Sequence, residues 1–208
     1  MKICKIHLYL LIIVSIIISG CSIKLPLLNH DDNQNSKNTI TVLPNSIKTI
    51  AVLPIENKTV DGITCQLLRS RLFDELYFKG YSKLPLDIID KKLGSITSNE
   101  SKESAATIAP QALKDLVGAD AGLYCTLMED SKSKKMFYAP IRIALRCELH
   151  SAQTGEVIWN SQSESISRNF DFTDKGLERK SNEVFENIIE EVVNKLMKTL
   201  PDGPNLRG

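Results

Sequence analysis

The chain has 208 residues, with 26 basic and 25 acidic side chains and a hydrophobic fraction of 42%. That length and that composition are ordinary for a single globular domain. The near balance of charge argues against nucleic-acid binding, which requires a basic surface. It also argues against a polybasic patch that would hold the protein flat on anionic lipid.

The first twenty residues are typical of a secretory signal. Lys2 and Lys5 precede an apolar run over residues 8–18. This run is too short for a membrane span, which needs about 20 apolar residues, but it suits the hydrophobic region of a signal peptide. A buried core helix is the alternative, and the two leading lysines disfavour it.

The four residues Ile18-Ser19-Gly20-Cys21 resemble the lipobox of bacterial lipoproteins. The resemblance implies cleavage before Cys21, acylation of Cys21 by palmitate-type chains, and a mature protein attached to a membrane through lipid. An Asp after the cysteine tends to retain such lipoproteins in the inner membrane. Because Ser22 stands there, the resemblance implies the outer membrane, with the domain facing the periplasm.

Removal of residues 1–20 would leave a near-neutral domain on a tether. The remaining 188 residues carry 24 basic and 25 acidic side chains, a net charge of −1. Residues 21–47 are rich in Asn, Asp and Ser, and we expect them to form the lipidated start and a flexible tether. As a flexible coil this segment would have an r.m.s. reach of about 25–31 Å.

Three cysteines would remain besides Cys21, namely Cys65, Cys125 and Cys147. A hairpin centred near Ser133 would place Cys125 opposite about Arg142, far from Cys147. The pattern therefore favours buried thiols over any disulfide. The sequence has neither a Cys-x-x-Cys motif nor a paired His spacing, so it gives no support for a zinc or redox site.

The first half of the domain, predicted to span residues 48–200, combines short strands with helices. Residues 48–54 form an apolar run that ends in a proline, which predicts a buried strand. Leucines at helical spacing predict a helix from Asp61, its N-cap, through Lys79, with Gly80 as the stop. The elements expected next are a strand at 81–84, a helix at 85–93, a loop at 94–107 and a helix at 110–117.

The second half predicts a meander of strands and a final helix. Strands are expected at 121–128, 137–149 and 157–162, separated by turns at 129–135 and 153–156. Over 137–149 apolar residues alternate with Arg142, Arg146, Glu148 and His150, so one face should meet the core and the other water or a partner. A helix is expected at 177–200, followed by a tail at 201–208.

This order predicts an α+β fold of the α/β two-layer sandwich type. We expect a mixed sheet of about five strands with helices mainly on one face, because one face of the meander is polar.

A series of short motifs occurs in an order and spacing that resembles one group of bacterial outer-membrane lipoproteins. The group includes a neisserial vaccine-candidate antigen, and its domain looks like the N-terminal domain of TolB. The resemblance covers roughly residues 48–165 and implies a periplasmic α/β domain, self-association and no known enzymatic activity. The motifs are Ala51-Val52-Leu53-Pro54 with Asn57, Lys79-Gly80-Tyr81, Leu84-Pro85, Gly118-Ala119-Asp120-Ala121 and Thr154-Gly155-Glu156-Val157-Ile158-Trp159.

Most of these motif residues have structural explanations. Gly80 and Gly118 stop helices, and Thr154-Gly155 suits a turn. Asp120 is expected to cap backbone N–H groups between a helix and a strand. Trp159 on a strand is more often a core residue than a contact residue, although aromatic side chains are enriched at interfaces.

The sequence contains no constellation for catalysis. Neither a Gly-rich phosphate loop nor a G-x-S-x-G elbow is present. Residues 131–134 match S-x-x-K but lie in a predicted charged turn and lack the companion motifs. His150 is the only histidine of the domain and has no predicted base or nucleophile beside it, and Asp87 and Asp90 lack a surrounding cleft. We therefore predict no catalytic residue, no cofactor and no metal.

Two functions remain. The first is a lipid-anchored interaction module that assembles with itself or with an envelope protein complex, with Arg142, Arg146, Glu148 and Trp159 as its candidate interface. The simpler alternative for these charges is that they face water. The second function is a small-ligand binder or hydrolase that acts on envelope material, with His150, Asp120 and Glu129 as the residues to test.

Overall fold

A computed structural model describes residues 46–57, 62–97, 108–133 and 135–206. The predicted signal peptide, Cys21, most of the tether and the predicted N-cap Asp61 lie outside these ranges.

Five strands form one mixed sheet. They are β1 (Ile50–Val52), β2 (Glu56–Asn57), β3 (Ala121–Lys132), β4 (Tyr138–Ser151) and β5 (Val157–Phe170). β1 and β2 both pair in parallel with β3, whereas β3, β4 and β5 form an antiparallel meander.

Four helices pack on the sheet: α1 (Gly62–Phe78), α2 (Leu86–Thr97), α3 (Ala112–Val117) and α4 (Asp174–Met197). The long helices α1 and α4 share one face of the sheet and enclose the main core with the apolar side chains of β3 and β4. The short helices α2 and α3 cover one end of the opposite face through a second, smaller apolar cluster. The α+β fold with its mixed five-stranded sheet is therefore confirmed.

Local sequence explains why the long helices sit where they do. Leu68, Leu72 and Leu76 recur every four residues on α1 and are almost fully buried. At the start of α4, the Thr173 side chain accepts a hydrogen bond from the Gly176 N–H at 3.1 Å, which is N-cap geometry. The buried leucines hold the apolar stripe of α1 against the sheet, and the N-cap fixes the residue at which α4 begins.

Positive φ angles at glycines end α3 and close the turn between β4 and β5, as predicted. Gly118 at the end of α3 has φ +71°, and Gly155 between β4 and β5 has φ +79°. Side chains with a Cβ rarely adopt this conformation, so glycine is the residue expected at both positions.

Several element boundaries differ from the sequence-based expectation. β3 continues past Met128 to Lys132 through a bulge between Leu127 and Glu129, so the turn expected at 129–135 lies nearer 133–137. β5 continues to Phe170. The helix expected at 85–93 extends to Thr97, and the strand expected at 81–84 is reduced to one bridge between Thr49 and Ser82.

The extra length of β5 has a physical reason. Ser161, Ser163 and Ser165 occupy its buried face, where their small size suits the close packing of α4. The Ser163 hydroxyl donates to the Val192 carbonyl at 2.7 Å, so this buried polar group has a hydrogen-bond partner beneath the helix. Because serines stand where apolar residues would be expected, the sequence pattern does not reveal that the strand continues beyond residue 162.

The prediction of buried thiols is wrong for Cys125 and Cys147, which form a disulfide. The hairpin is centred about three residues later than expected, and this shift brings the two cysteines directly opposite each other with a Cα–Cα distance of 4.1 Å. Both are buried in the main core, while Cys65 on α1 is a half-buried thiol.

Both ends of the described domain are packed. Ile47, placed at the end of the predicted tether, is buried in the main core. The Tyr81 hydroxyl donates to the Pro201 carbonyl at 2.9 Å, and the Gly203 N–H donates to the Lys79 carbonyl at 2.6 Å. Residues 201–206 therefore lie against the C-terminal end of α1.

We expect the disulfide to stabilise the meander. Replacing both cysteines by alanine (Cys125→Ala with Cys147→Ala) opens a loop with a sequence separation of 22 residues. By the chain-entropy model, the free energy of unfolding should fall by about 3 kcal/mol. Urea denaturation measures the change, with Cys65→Ala as a matched control that removes a thiol without opening a loop. A double variant that unfolds at the wild-type urea concentration would contradict the expectation.

Candidate interaction surface

The side of the meander that faces away from α1 and α4 carries a set of charged side chains, here called the polar face. Alternation along β4 places its polar residues on this side and its apolar residues in the core. The same alternation adds one carboxylate from β3 and one from β5. The polar face consists of Glu129, Arg142, Arg146, Glu148, His150 and Glu164.

Arg142 links the three strands of the meander. Its Nη1 lies 3.7 Å from the Glu129 Oε2 on β3, and its Nε lies 3.3 Å from the Glu164 Oε1 on β5. The Arg142 side chain is 45% exposed, so these ion pairs add little stability. They place the guanidinium between two carboxylates at the surface.

A second charged group follows along β4. The Arg146 Nη2 contacts the Glu148 Oε1 at 2.8 Å, and the other Glu148 oxygen lies 3.3 Å from the His150 Nε2. Because residues two apart on a strand share a face, the three side chains form a short row. The polar face thus presents cationic and anionic groups side by side.

A cleft of about 500 Å³ lies where this row reaches the region of α3. The Tyr124 ring packs edge-on against His150, with 4.8 Å between ring centroids, and its hydroxyl donates to the Ile108 carbonyl at 2.7 Å. Burial raises the pKa of Tyr124 to about 12, so Tyr124 is a neutral hydrogen-bond donor at physiological pH. Glu56 in the same cleft accepts a hydrogen bond from the Thr126 hydroxyl at 3.3 Å.

In the described lining of this cleft, the histidine is not paired with a nucleophile, and the contact of the Thr126 hydroxyl with Glu56 is long for a nucleophile and its base. His150 contacts Glu148 and the Gly155 carbonyl, the Thr126 hydroxyl donates to Glu56, and Cys125 is held in the disulfide. Nucleophilic catalysis requires a nucleophile within hydrogen-bond reach of its base. The cleft could therefore hold a small polar molecule but gives no geometric support for hydrolysis.

Two of the residues chosen as hydrolase candidates, Asp120 and Glu129, are far apart. The Asp120 Oδ2 accepts hydrogen bonds from the Lys48 and Thr49 N–H groups, both at 3.0 Å, which confirms the predicted capping role. Glu129 lies near the opposite end of β3, roughly 30 Å away at the usual rise per strand residue. Asp120 and Glu129 therefore cannot belong to one catalytic site.

Three of the four predicted interface residues lie on the polar face, and the fourth does not. Arg142 and Arg146 are exposed and Glu148 is half-buried. Trp159 is only 1% exposed, and its Nε1 donates to the Thr199 Oγ1 at 3.2 Å beneath α4. The prediction that Trp159 belongs to the interface is therefore wrong, and the expectation that it lies in the core is confirmed. The reason is that this position of β5 faces α4.

Sequence reasoning missed an apolar patch at the far end of the meander. Met136, Phe137, Phe170 and Phe172 are exposed there, with Phe172 reaching 89%. Phe137 and Phe172 lie 5.9 Å apart, and Phe170 stacks on Tyr138 at 4.7 Å. The run Met136-Phe137-Tyr138, which follows a segment with three lysines, was the available signal.

The described residues lack a membrane-spanning helix and a cluster of metal ligands. None of their helices is both long and apolar enough to cross a bilayer. Over the same ranges, histidine, cysteine and carboxylate side chains do not gather in a group of three or more that could hold a metal ion.

Tyr124 makes the stability of the domain depend on pH at the alkaline end. The pKa of Tyr124 is raised in the folded state. The contribution of Tyr124 to the free energy of unfolding is therefore fully present below the ordinary pKa of 10.0 and is lost as the pH rises through about 12. Tyr124→Phe should lower the free energy of unfolding by about 1 kcal/mol near neutral pH, and this difference should narrow towards pH 12. Urea denaturation at several pH values checks this, with Tyr77→Phe on α1 as a surface control. A difference that stays constant with pH would contradict it.

Comparison with known proteins relates this fold to bacterial lipoproteins. Lipoprotein GNA1162 from Neisseria meningitidis matches with a TM-score of 0.52 and 19% identity, over 68% of this chain and 97% of that chain. A dodecamer of a PelC variant from Paraburkholderia phytofirmans matches with a TM-score of 0.52 and 14% identity, over 80% of this chain and 98% of that chain. At such identities these likenesses establish the fold alone, and no curated protein matches the sequence.

A family model supplies the stronger assignment. The model described as "Putative lipoprotein GNA1162-like" matches residues 41–205, which is most of the chain. The likeness of the domain to the N-terminal domain of TolB stays a prediction. The chain belongs to the GNA1162-like lipoprotein family.

Proposed function

We propose that this protein is a lipid-anchored module of the outer membrane that faces the periplasm and binds another envelope protein through its polar face, without catalysing a reaction. The observation that carries this proposal is the polar face itself, an open sheet surface whose charged side chains are paired with one another. Membership of a lipoprotein family and the lipobox-like sequence ending at Cys21 support the anchor.

The geometry of Arg142 suits recognition of a protein. Arginine is enriched at interfaces and at the residues that dominate binding energy. Its two carboxylate neighbours, Glu129 and Glu164, restrict its rotamers before any partner arrives. Binding would therefore cost less side-chain entropy than it would for a freely rotating arginine.

The mixed charge of the polar face indicates a partner of mixed charge. Arg142 and Arg146 alternate along the face with Glu129, Glu148 and Glu164, so a uniformly acidic or basic partner would meet repulsion. An envelope protein surface with both signs interspersed would complement this pattern and gain specificity from it.

The cleft beside His150 favours small-ligand binding as a second candidate. Its volume of about 500 Å³ lies within the usual range for ligand pockets, and Glu56, Glu148 and His150 supply polar groups at its wall. A thermal-shift screen of envelope metabolites tests this candidate. A ligand that raises the melting temperature of the wild type but not of His150→Ala would favour it over the interaction module.

Photocrosslinking in intact cells tests the interaction module. A photoreactive residue at position 142 or 146 should give covalent adducts with one other envelope protein, identified by mass spectrometry. The matched control is position 179, an arginine on α4 that is also exposed. Adducts confined to 142 and 146 are expected, and their yield should fall when the unlabelled arginine of the pair is changed to glutamate.

Two outcomes would contradict the proposed function. One is equal labelling of the same protein from position 179, which indicates unspecific proximity. The other is the absence of adducts at both 142 and 146 while the protein remains abundant and folded in the membrane.

A further inference from the structure

We propose that the outer edge of β5 pairs, antiparallel, with the same edge of a second copy of this chain, about a two-fold axis at Ile166. This assembly does not depend on the partner binding proposed above, although Glu164 belongs both to the polar face and to this edge. Its basis is an open strand edge and the way in which the residues of that edge complement themselves.

β5 is the last strand of the sheet over the described residues, and its outer edge is long. It runs from Val157 to Phe170, whereas strands of five or six residues are usual. Proteins protect such edges with proline, lysine or bulges, because unpaired N–H and C=O groups invite pairing with another chain. β5 contains neither proline nor lysine. Its one irregularity lies at its start, beside Leu149 and His150 of β4.

Two lysines of α4 touch this edge. The Lys195 Nζ donates to the Glu164 carbonyl at 3.4 Å, and the Lys180 Nζ donates to the Phe170 carbonyl at 2.9 Å. The first contact is long because Lys195 is also held by Glu191 at 2.7 Å. A backbone N–H from a second strand could replace either lysine, since both are exposed and each keeps a carboxylate partner, Glu191 for Lys195 and Asp171 for Lys180.

These contacts show which residues point their backbone groups outwards. The carbonyls of Glu164 and Phe170 reach lysines beyond the edge, whereas the Asp171 N–H donates inwards to the Phe137 carbonyl at 3.2 Å. Because the direction alternates along an antiparallel strand, the even-numbered residues of β5 face a potential partner strand. The outward set over the second half of the strand is Gln162, Glu164, Ile166, Arg168 and Phe170.

Charge selects one register for a symmetric pair. With the axis at Ile166, Glu164 of each copy lies opposite Arg168 of the other, and Ile166 lies opposite itself. An axis at Glu164 or at Arg168 would place like charges opposite each other. Because Glu164 and Arg168 are the only charged residues of β5, no other register pairs opposite charges.

The side chains at this axis are available for pairing. Arg168 is exposed and has no ion-pair partner among the described residues. Ile166 is 39% exposed and Phe170 is 62% exposed, so the pair would remove apolar surface from water. The long helices pack on the opposite face of the sheet and leave this side open. Self-complementarity therefore favours a second copy over an unrelated extended peptide.

Crosslinking of the full-length acylated protein in its native membrane tests the proposal. In a Cys65→Ser background the engineered cysteine is the reactive thiol of the domain, because Cys125 and Cys147 are joined. Ile166→Cys places two thiols one strand spacing apart, about 5 Å, within reach of a short bismaleimide. Arg142→Cys is the matched control: it lies directly opposite Ile166 on β4, so its two thiols would be about 14 Å apart. We expect covalent dimers from position 166 and none from position 142.

A charge-reversal cycle then tests the register. Arg168→Glu and Glu164→Arg should each reduce the dimer yield from position 166 by about tenfold, since each places two like-charge pairs across the axis. The double reversal should restore the yield to within about twofold, which a merely structural effect of either single change would not do.

Three results would overturn the proposal. They are equal crosslinking from positions 142 and 166, no dimer from position 166 in abundant protein, and a double reversal that fails to restore the dimer. An adduct at position 166 with a different protein, in place of the dimer, would assign the edge to an extended peptide partner and would also overturn it. Loss of the dimer through Arg168→Glu, which lies outside the polar face, leaves the adducts expected at positions 142 and 146 unaffected, so the two proposals fail separately.

Discussion

The register of β3 against β4, which the Cys125–Cys147 disulfide fastens, is the constraint on which the rest of the domain depends. A strand has a side-chain period of two, so a slip of one residue would move every side chain of β4 to the opposite face. With the two cysteines opposite each other, Ile141, Ile143 and Leu145 point into the core beneath α1 and α4. The same register carries Arg142, Arg146 and Glu148 to the open side. This register between neighbouring strands thus separates the core from the surface.

The functional surfaces follow from that separation. The polar face exists because α1 and α4 cover only one side of the meander, while α2 and α3 cover one end of the other. Over the described residues, the open edge exists because β5 is the last strand of the sheet and the chain then turns into α4. Both surfaces are rigid, since they are built on strands and not on loops, and rigid surfaces lose little entropy on binding. A protein held at a membrane by lipid would present both surfaces to neighbours at high local concentration.

Much of the fold could be predicted from periodicity, and the failures have physical causes. The alternation along β4 and the leucine spacing of α1 are strong signals because each records which side chains are buried. The hairpin centre was misplaced because the charged residues 129–132 suggest a turn, although a bulge carries them onward as strand. That error separated Cys125 from Cys147 and so hid the disulfide. The end of β5 was missed because buried serines replace apolar residues. The sequence favoured the core for Trp159, and its inclusion among the interface candidates was wrong because residue type alone does not tell which face of a strand a side chain occupies.

Disulfide mapping of the protein from its native envelope tests the central register most directly. Thiols are alkylated before extraction, the protein is digested without reductant, and the peptides are identified by mass spectrometry. The account predicts one linked peptide pair that joins Cys125 to Cys147, with Cys65 recovered in alkylated form. Recovery of Cys125 and Cys147 as alkylated thiols, or a link from either of them to Cys65, would contradict it.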